Sequence, residues 1–213
     1  MIEIRSVTKR YRSRGGETVA LAPVSASFAS GELTWVSGPS GVGKSTLLGI
    51  VGLLVEPDAG EVWFDGVRMD TADDDVRTRA RRRRLGFVPQ SPRVFPELTA
   101  WQNVALATTS AGREQAAAAL VRVGLADQCD QRVGTLSGGQ QQRVSLARAF
   151  VNNPRAVLAD EPSSGLDDLT AEACLTILRK LADDGRCVVV TSHDSRLAPF
   201  ADRTLSLTVG SLA

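Results

Sequence analysis

Gly38-Pro39-Ser40-Gly41-Val42-Gly43-Lys44-Ser45 places three glycines, a lysine and a serine at the spacing that grips phosphate. Glycines let backbone N–H groups turn inward around an anion, and a helix opening at the lysine adds the positive end of its dipole. In such a loop the lysine reaches the β- and γ-phosphates of a nucleoside triphosphate and the serine hydroxyl ligates Mg²⁺. Those tasks fall to Lys44 and Ser45, with Thr46 beside them. The chain has only three lysines, Lys9, Lys44 and Lys180, so lysine abundance does not generate the match. Asp160-Glu161 is the second chemical feature, directly after the apolar run Ala156-Val157-Leu158-Ala159. Carboxylates at the end of a buried strand sit at the sheet edge where doubly wound folds bind ligands. Asp160 is placed to hold Mg²⁺ through water, and Glu161 to act as general base toward an attacking water.

The elements that must position these groups follow from periodicity. Residues 2–11 and 19–29 alternate apolar and polar, which predicts antiparallel strands joined by a polar turn at 12–17. Residues 33–36 predict a buried strand feeding the glycine-rich loop, and 44–54 a helix leaving it. Residues 61–64 predict a strand closed by an Asp65-Gly66 turn. Residues 71–84 predict a helix with Asp73, Asp74 and Asp75 at its start and Arg81 to Arg84 at its end, both ends complementing the macrodipole. Residues 85–88 predict a strand ending near Gln90, and 99–131 a helical stretch with Gly124 as a C-cap. Strand, helix and strand return at 156–160, 169–182 and 186–191, with a helix and a strand after His193. Strands alternating with helices imply an α/β domain around a mainly parallel core sheet.

Composition narrows the class. At 213 residues with 43% hydrophobic and 23% charged residues, the chain suits one globular domain. Its net charge of +1 gives no global attraction to nucleic acid or anionic lipid. The arginine run at 81–84 is offset by the acidic start of the same helix and lacks interleaved aromatics, so no nucleic-acid partner is expected. Cys129, Cys174 and Cys187 form no CxxC pair, which predicts reduced thiols of a cytosolic protein. The apolar run at 47–55 is far shorter than the roughly 20 residues of a membrane span, and no secretory signal is expected at the N-terminus.

Leu136-Ser137-Gly138-Gly139-Gln140 lies between the phosphate loop and the acidic pair. Together the three motifs resemble the ATP-binding cassette (ABC) family, and the resemblance spans nearly the whole chain. It implies an α/β P-loop NTPase fold with a mainly parallel core sheet, an N-terminal antiparallel β subdomain and an inserted helical lobe. In a single domain over 1–213, the core then covers approximately 1–90 and 153–213, and the lobe 91–152. The resemblance further implies that Gly38, Pro39, Ser40, Gly41, Val42 and Gly43 cradle phosphate and that Gln90 contacts Mg²⁺ and the attacking water. Ser137, Gly138, Gly139 and Gln140 would close over the γ-phosphate of a second subunit, the glycines permitting close backbone approach. Ser164-Gly165-Leu166-Asp167 is similar to the loop that links the two sites, which assigns Asp167. His193, the only histidine, matches the switch histidine that contacts the γ-phosphate, and Tyr11 the aromatic that stacks on adenine.

One phosphate loop and one signature make half of a machine, so the resemblance implies an ATP-dependent head-to-tail dimer, homo- or heteromeric. No Asn-Lys-x-Asp guanine motif is present, and Asn103, Asn152 and Asn153 cannot supply one. No sustained heptads or second cassette suggest a DNA- or ribosome-associated member. The expected partner is therefore an integral membrane permease-type protein, with this chain peripheral on the inner membrane face and docking near Gln90 through 92–102, where Phe95, Leu98 and Trp101 either offer an apolar patch or pack internally. A non-transport ABC role, in cell division, envelope force transmission or on DNA or ribosomes, is the alternative. Gln140-Gln141-Gln142-Arg143, Ala159 before Asp160-Glu161-Pro162, and the chain ending soon after His193 resemble the macrolide-export, lipoprotein-release and cell-division subgroup. That ending also argues against an added regulatory domain. Ser164-Gly165 departs from the Gly-Asn usual in that subgroup.

Overall fold

The computed structural model describes residues 1–13, 16–108, 112–208 and 211–212. Two sheets form its frame. Strands β1 (Ile2–Ser13), β2 (Gly16–Phe28), β4 (Ala59–Phe64) and β5 (Val67–Arg68) make a four-stranded antiparallel sheet in the order β2-β1-β4-β5. Strands β3 (Leu33–Ser37), β6 (Leu85–Val88), β7 (Ala156–Asp160), β8 (Cys187–Thr191), β9 (Arg203–Thr208) and β10 (Ser211–Leu212) form the second sheet, ordered β10-β9-β3-β8-β7-β6. All its pairings are parallel except β10 with β9.

The central strands β7 and β8 are buried along their whole length, as expected where both faces of a parallel sheet are covered. Their period of two divides the molecule into two cores. Ala156, Leu158, Cys187 and Val189 face Ile2, Ile4, Phe28 and Phe64 of the antiparallel sheet and Leu47, Leu48 and Ile50 of helix α1 (Lys44–Val51). Val157, Ala159, Val188 and Val190 face the other way, into a core shared with four further helices. These are α3 (Ala100–Ala105), α4 (Arg113–Arg122), α5 (Gly138–Phe150) and α6 (Asp168–Asp183). Helix α2 (Asp74–Arg84) lies beside β6, with Asp74 and Asp75 in its first turn and Arg81 to Arg84 in its last.

Several boundaries differ from the sequence expectation. The 44–54 helix stops at Val51, because Gly52 caps it and Leu53 turns left-handed at φ 57, sending Leu54 and Val55 N–H back to the Gly49 carbonyl. The helical stretch 99–131 divides into α3 and α4, followed by turns from 123 onward. Gly124 does sit just past the end of α4 at φ 69, as the C-cap reading expects. The 12–17 turn contracts because β1 and β2 pair out to Ser13 and Gly16. The helices at 100–150 pack on one another and share a continuous core with the sheet, Val104, Leu120 and Val144 joining Val157 and Val190. Cys129, Cys174 and Cys187 are free, burial pushing the Cys174 and Cys187 thiols up to about 11 and about 12. Among the described residues no helix is long and apolar enough to cross a membrane.

Candidate functional site

Parallel register brings the motifs together. Val36 pairs with Thr191, Thr191 with Asp160, and Ala159 with Val88. The segments leaving β3, β8, β7 and β6 therefore emerge on one edge of the sheet, carrying the phosphate loop, His193, Glu161 and Gln90. This is the carboxyl edge at which open α/β sheets bind ligands. The 156/158/160 alternation turns Asp160 to the α1 side, toward the helix that opens at Lys44.

A cleft of about 510 Å³ lies there, lined by Pro39, Ser40, Gly41, Gly43, Lys44, Ser45, Thr46, Gln90, Glu161 and His193, with Ala20 from β2. Gly43 precedes α1 at φ 107, and a Cβ on it would lie 2.2 Å from the Ala20 carbonyl oxygen. Position 43 thus admits only glycine if the loop is to lie against β2. Lys44 is 7% exposed; its Nζ donates to the Gly38 carbonyl at 2.8 Å and the Pro39 carbonyl at 3.1 Å. It stands 3.6 Å from Glu161 Oε1. A buried ammonium amid carbonyls, at the N-terminus of a helix and in a glycine cradle, fits a polyphosphate.

Glu161 occupies left-handed backbone at φ 45, an uncommon conformation for a residue with a Cβ and one found at functional sites. Its carboxylate accepts from Ser192 Oγ at 2.9 Å and from the His193 backbone N–H at 3.4 Å. His193 Nδ1 lies 3.0 Å from Glu161 Oε1. Burial pushes the Glu161 carboxyl up, but the hydrogen bonds from His193 and Ser192 and the positive charge of Lys44 outweigh it, holding the group below the usual carboxylate range. An ionised carboxylate only accepts, so Nδ1 carries the shared proton and Nε2 is left for another partner. Asp160 is 9% exposed and accepts from Thr191 Oγ1 at 2.6 Å.

Other expected residues stand apart from the cleft. Val42 packs into the core beside α1, leaving only its backbone for a ligand, and Gly38 contributes its carbonyl to Lys44. Tyr11 is 45% exposed on β1, outside the cleft lining, with the Lys9 ammonium 5.8 Å from its ring. Asp167 caps α6, accepting from the Thr170 N–H at 3.0 Å. Ser137 caps α5 in a reciprocal box with Gln140, whose side chain accepts from the Ser137 N–H at 2.9 Å. Gln140 is thereby occupied in shaping the helix start. The two signature glycines also divide their tasks. A Cβ on Gly138 would meet nothing within 4 Å, whereas one on Gly139 would lie 2.1 Å from Thr170 Cγ2. Gly138 leaves an open approach; Gly139 lets α5 pack against α6.

Of the apolar patch, Phe95 is 52% exposed, but Leu98 is half-buried and Trp101 packs on the core with the Arg113 guanidinium over its ring. The patch therefore reduces largely to Phe95. Asn103, fully buried, holds that loop through the Phe95 N–H and the Phe95, Leu98 and Thr99 carbonyls. The departure at Ser164-Gly165 is neutral for the backbone: Gly165 sits at φ 73, a region that Asn also tolerates.

Sequence reasoning missed Ser192, Thr191, Ser163 and Asp194, which hold the acidic pair and the segments around it. The signal was present, since hydroxyl residues ending an apolar strand must find buried partners. Ala20 carries no signal, because it lines the cleft through pairing of distant strands.

Known proteins match this chain over most of its length. The model of the ABC transporter family matches residues 21–164. An uncharacterized ABC transporter ATP-binding protein, MJ0796 of Methanocaldococcus jannaschii, is 40% identical over 99% of this chain and 94% of its own length. The lipoprotein-releasing system ATP-binding protein LolD 1 of Caulobacter vibrioides is 39% identical over 100% of this chain and 94% of its own. A solved dimeric structure of the MJ0796 cassette in a post-hydrolysis state, bound to ADP and Pi, superposes with a TM-score of 0.91 at 39% identity, covering 100% of this chain and 96% of that one. With a strand-edge phosphate loop, an acidic pair beside it and relatives matching from end to end, this chain belongs to the ABC transporter family, as one of its ATP-hydrolysing cassettes.

Proposed function

We propose that this chain binds Mg²⁺-ATP in the cleft, hydrolyses it as one half of a head-to-tail pair, and drives a separate membrane-spanning partner. One observation carries the reading. The cleft gathers Lys44, Glu161 and His193, while Ser137 and Gly138 at the start of α5 are exposed and outside it. A second copy turned head to tail would present its α5 N-terminus to the cleft, completing an anion site that neither chain completes alone. The dimeric MJ0796 cassette with ADP and Pi supports this, and the lipoprotein-releasing relatives support a partner in the membrane. The chain would then sit peripherally on the inner membrane face through that partner.

Ser45, Gln90 and Asp160 offer only oxygen donors, and no cluster of three or more His, Cys, Asp or Glu among the described residues could hold a metal ion by itself. That donor set suits Mg²⁺, which is bound by a few protein oxygens together with substrate phosphates. Mg²⁺ would supply neutralisation of phosphate charge. Lys44 supplies a further positive charge, Glu161 accepts the proton of the attacking water, and His193 orients Glu161 through Nδ1 with its ring at the cleft.

Glu161→Gln tests the assignment. It retains ATP binding, slows turnover by roughly 10²–10⁴, and accumulates dimer with Mg²⁺-ATP in light scattering. A variant that stays monomeric at saturating nucleotide sinks the paired site. For the membrane role, a stoichiometric multi-span protein should co-purify from detergent-solubilised native membranes. Ribosomes, DNA or soluble proteins alone in that experiment would remove the transport reading.

A further inference from the structure

Two loops meet beside the cleft, 161–163 after β7 and 192–194 after β8, and each carries one carboxylate and one serine. Ser192 Oγ donates to Glu161 Oε2 at 2.9 Å, and Ser163 Oγ donates to Asp194 Oδ2 at 2.7 Å. The Asp194 N–H donates to Ser192 Oγ at 3.0 Å, joining the two bonds into one connected clasp. Both serines are fully buried, so water offers neither an alternative partner. The clasp acts where restraint is needed, since Glu161 holds left-handed backbone and His193 lies between the two anchored residues Ser192 and Asp194.

The far side of Asp194 reaches outward. Arg196 Nε donates to both carboxylate oxygens at 3.0 Å, and the Arg196 N–H to Oδ1 at 3.0 Å. Arg196 then donates from Nη1 to Asp168 Oδ1 at 2.6 Å, at the first residue of α6 and next to the capping residue Asp167. The same helix start meets α5 through the tight packing of Gly139 on Thr170.

We propose that Asp194 is a positioning residue for Glu161: it fixes the 161–163 and 192–194 loops against each other and, through Arg196 and Asp168, ties them to the start of α6. This rests on the reading of Glu161 as the base. An aspartate is required because three donors converge on it from two directions, and an amide would offer a single acceptor oxygen. Arg196 hydrogen bonds, opposed by burial and reinforced by Ser163, hold its carboxyl at about 2, so it is ionised at neutral pH.

The test is Mg²⁺-ATP turnover and ATP affinity, measured separately on the whole chain for Ser163→Ala, Ser163→Thr, Asp194→Asn and the Ser163→Ala/Asp194→Asn double variant. Loss of one buried hydrogen bond predicts a kcat lower by about tenfold in Ser163→Ala and Asp194→Asn, with KM changed by less than about twofold. Ser163→Thr keeps the hydroxyl and should stay within about threefold of wild type. The double variant should be no slower than the slower single variant, because both substitutions break one connected unit. If Asp194→Asn does not fold, Ser163→Ala decides. An unchanged kcat in Ser163→Ala overturns the proposal. So does a parallel fall of kcat, affinity and melting temperature, or failure of Ser163→Thr to restore turnover. Glu161→Gln turning over as fast as wild type would overturn instead the reading of Glu161, and the positioning role with it.

Discussion

The phosphate loop and the start of α5 are both glycine-rich segments that open a helix, yet their surroundings are opposite. At the loop, this chain lines its part of the anion site with the α1 N-terminus, buried Lys44, Glu161 and His193. At α5, Ser137 and Gly138 are exposed, and the residues near them serve the helix itself, with Ser137 and Gln140 capping and Gly139 packed on Thr170. In the first segment, strand register buries the Lys44 side chain while Pro39, Ser40, Gly41 and Ser45 stay exposed around the cleft. The second is finished as a surface. A chain that completes one end of an anion site and only presents the other is built to be paired, which is the physical content of the proposed head-to-tail dimer.

The sharpest way to break this contrast is to disable each end in turn. Lys44→Ala removes a buried charge that faces the cleft, and ATP affinity measured by calorimetry should fall by about a hundredfold, the value of one or two charge-assisted hydrogen bonds. Gly138→Asp should leave nucleotide binding by the isolated chain intact but abolish turnover, because it places negative charge at a helix start meant for phosphate. Mixing the two inactive variants then tests the geometry. In a two-fold pair, half the dimers are mixed and half of their sites are intact, so about a quarter of wild-type turnover should return. No recovery on mixing would mean that each chain completes its own site.

A smaller effect separates the two signature glycines. Gly139→Ala forces a Cβ onto Thr170 and should lower unfolding free energy by about 1–3 kcal/mol, the usual range for overpacking. Gly138→Ala, in open space at the first turn of α5, should leave it unchanged or raise it by up to ~1 kcal/mol. Denaturant melts of both variants measure the difference, and equal losses would remove the division of roles. The smallest expected effect concerns acid. The Asp194 carboxyl is lowered from its ordinary 3.8 to about 2, so its contribution is full above pH 3.8 and declines as pH falls through about 2. Wild type should therefore lose stability more steeply than Asp194→Asn across that window, with or without nucleotide. Parallel acid melts would show that Asp194 is not held by its partners.

Much of this was legible before the structure. Strands 33–36, 85–88 and 156–160 lie where periodicity places them, because the parallel strands of this sheet are short apolar runs with few alternatives. Helix ends were less legible. The 44–54 reading overran because Val55 closes back on Gly49, a contact local periodicity does not encode. The 99–131 reading overran because alanine-rich sequence favours helix on both sides of a break. For Trp101 the sequence left an exposed patch and internal packing open, and α3 packing decided it, setting the ring half-buried against the core.

The sequence by itself determined the chemistry, since phosphate binding, a strand-end base and a helix-opening signature each depend on residue types within a few positions of one another. Tertiary structure alone decided three things. Parallel register set Asp160, Thr191 and Val36 in one row and so brought His193 to Glu161 across 32 residues. Packing of α5 on α6 assigned Gly139 to the interior and left Gly138 open. The clasp of Ser163, Ser192 and Asp194 arose where two strand ends buried their hydroxyls together. Each is a long-range contact, and its energy depends on neighbours that only the folded chain supplies.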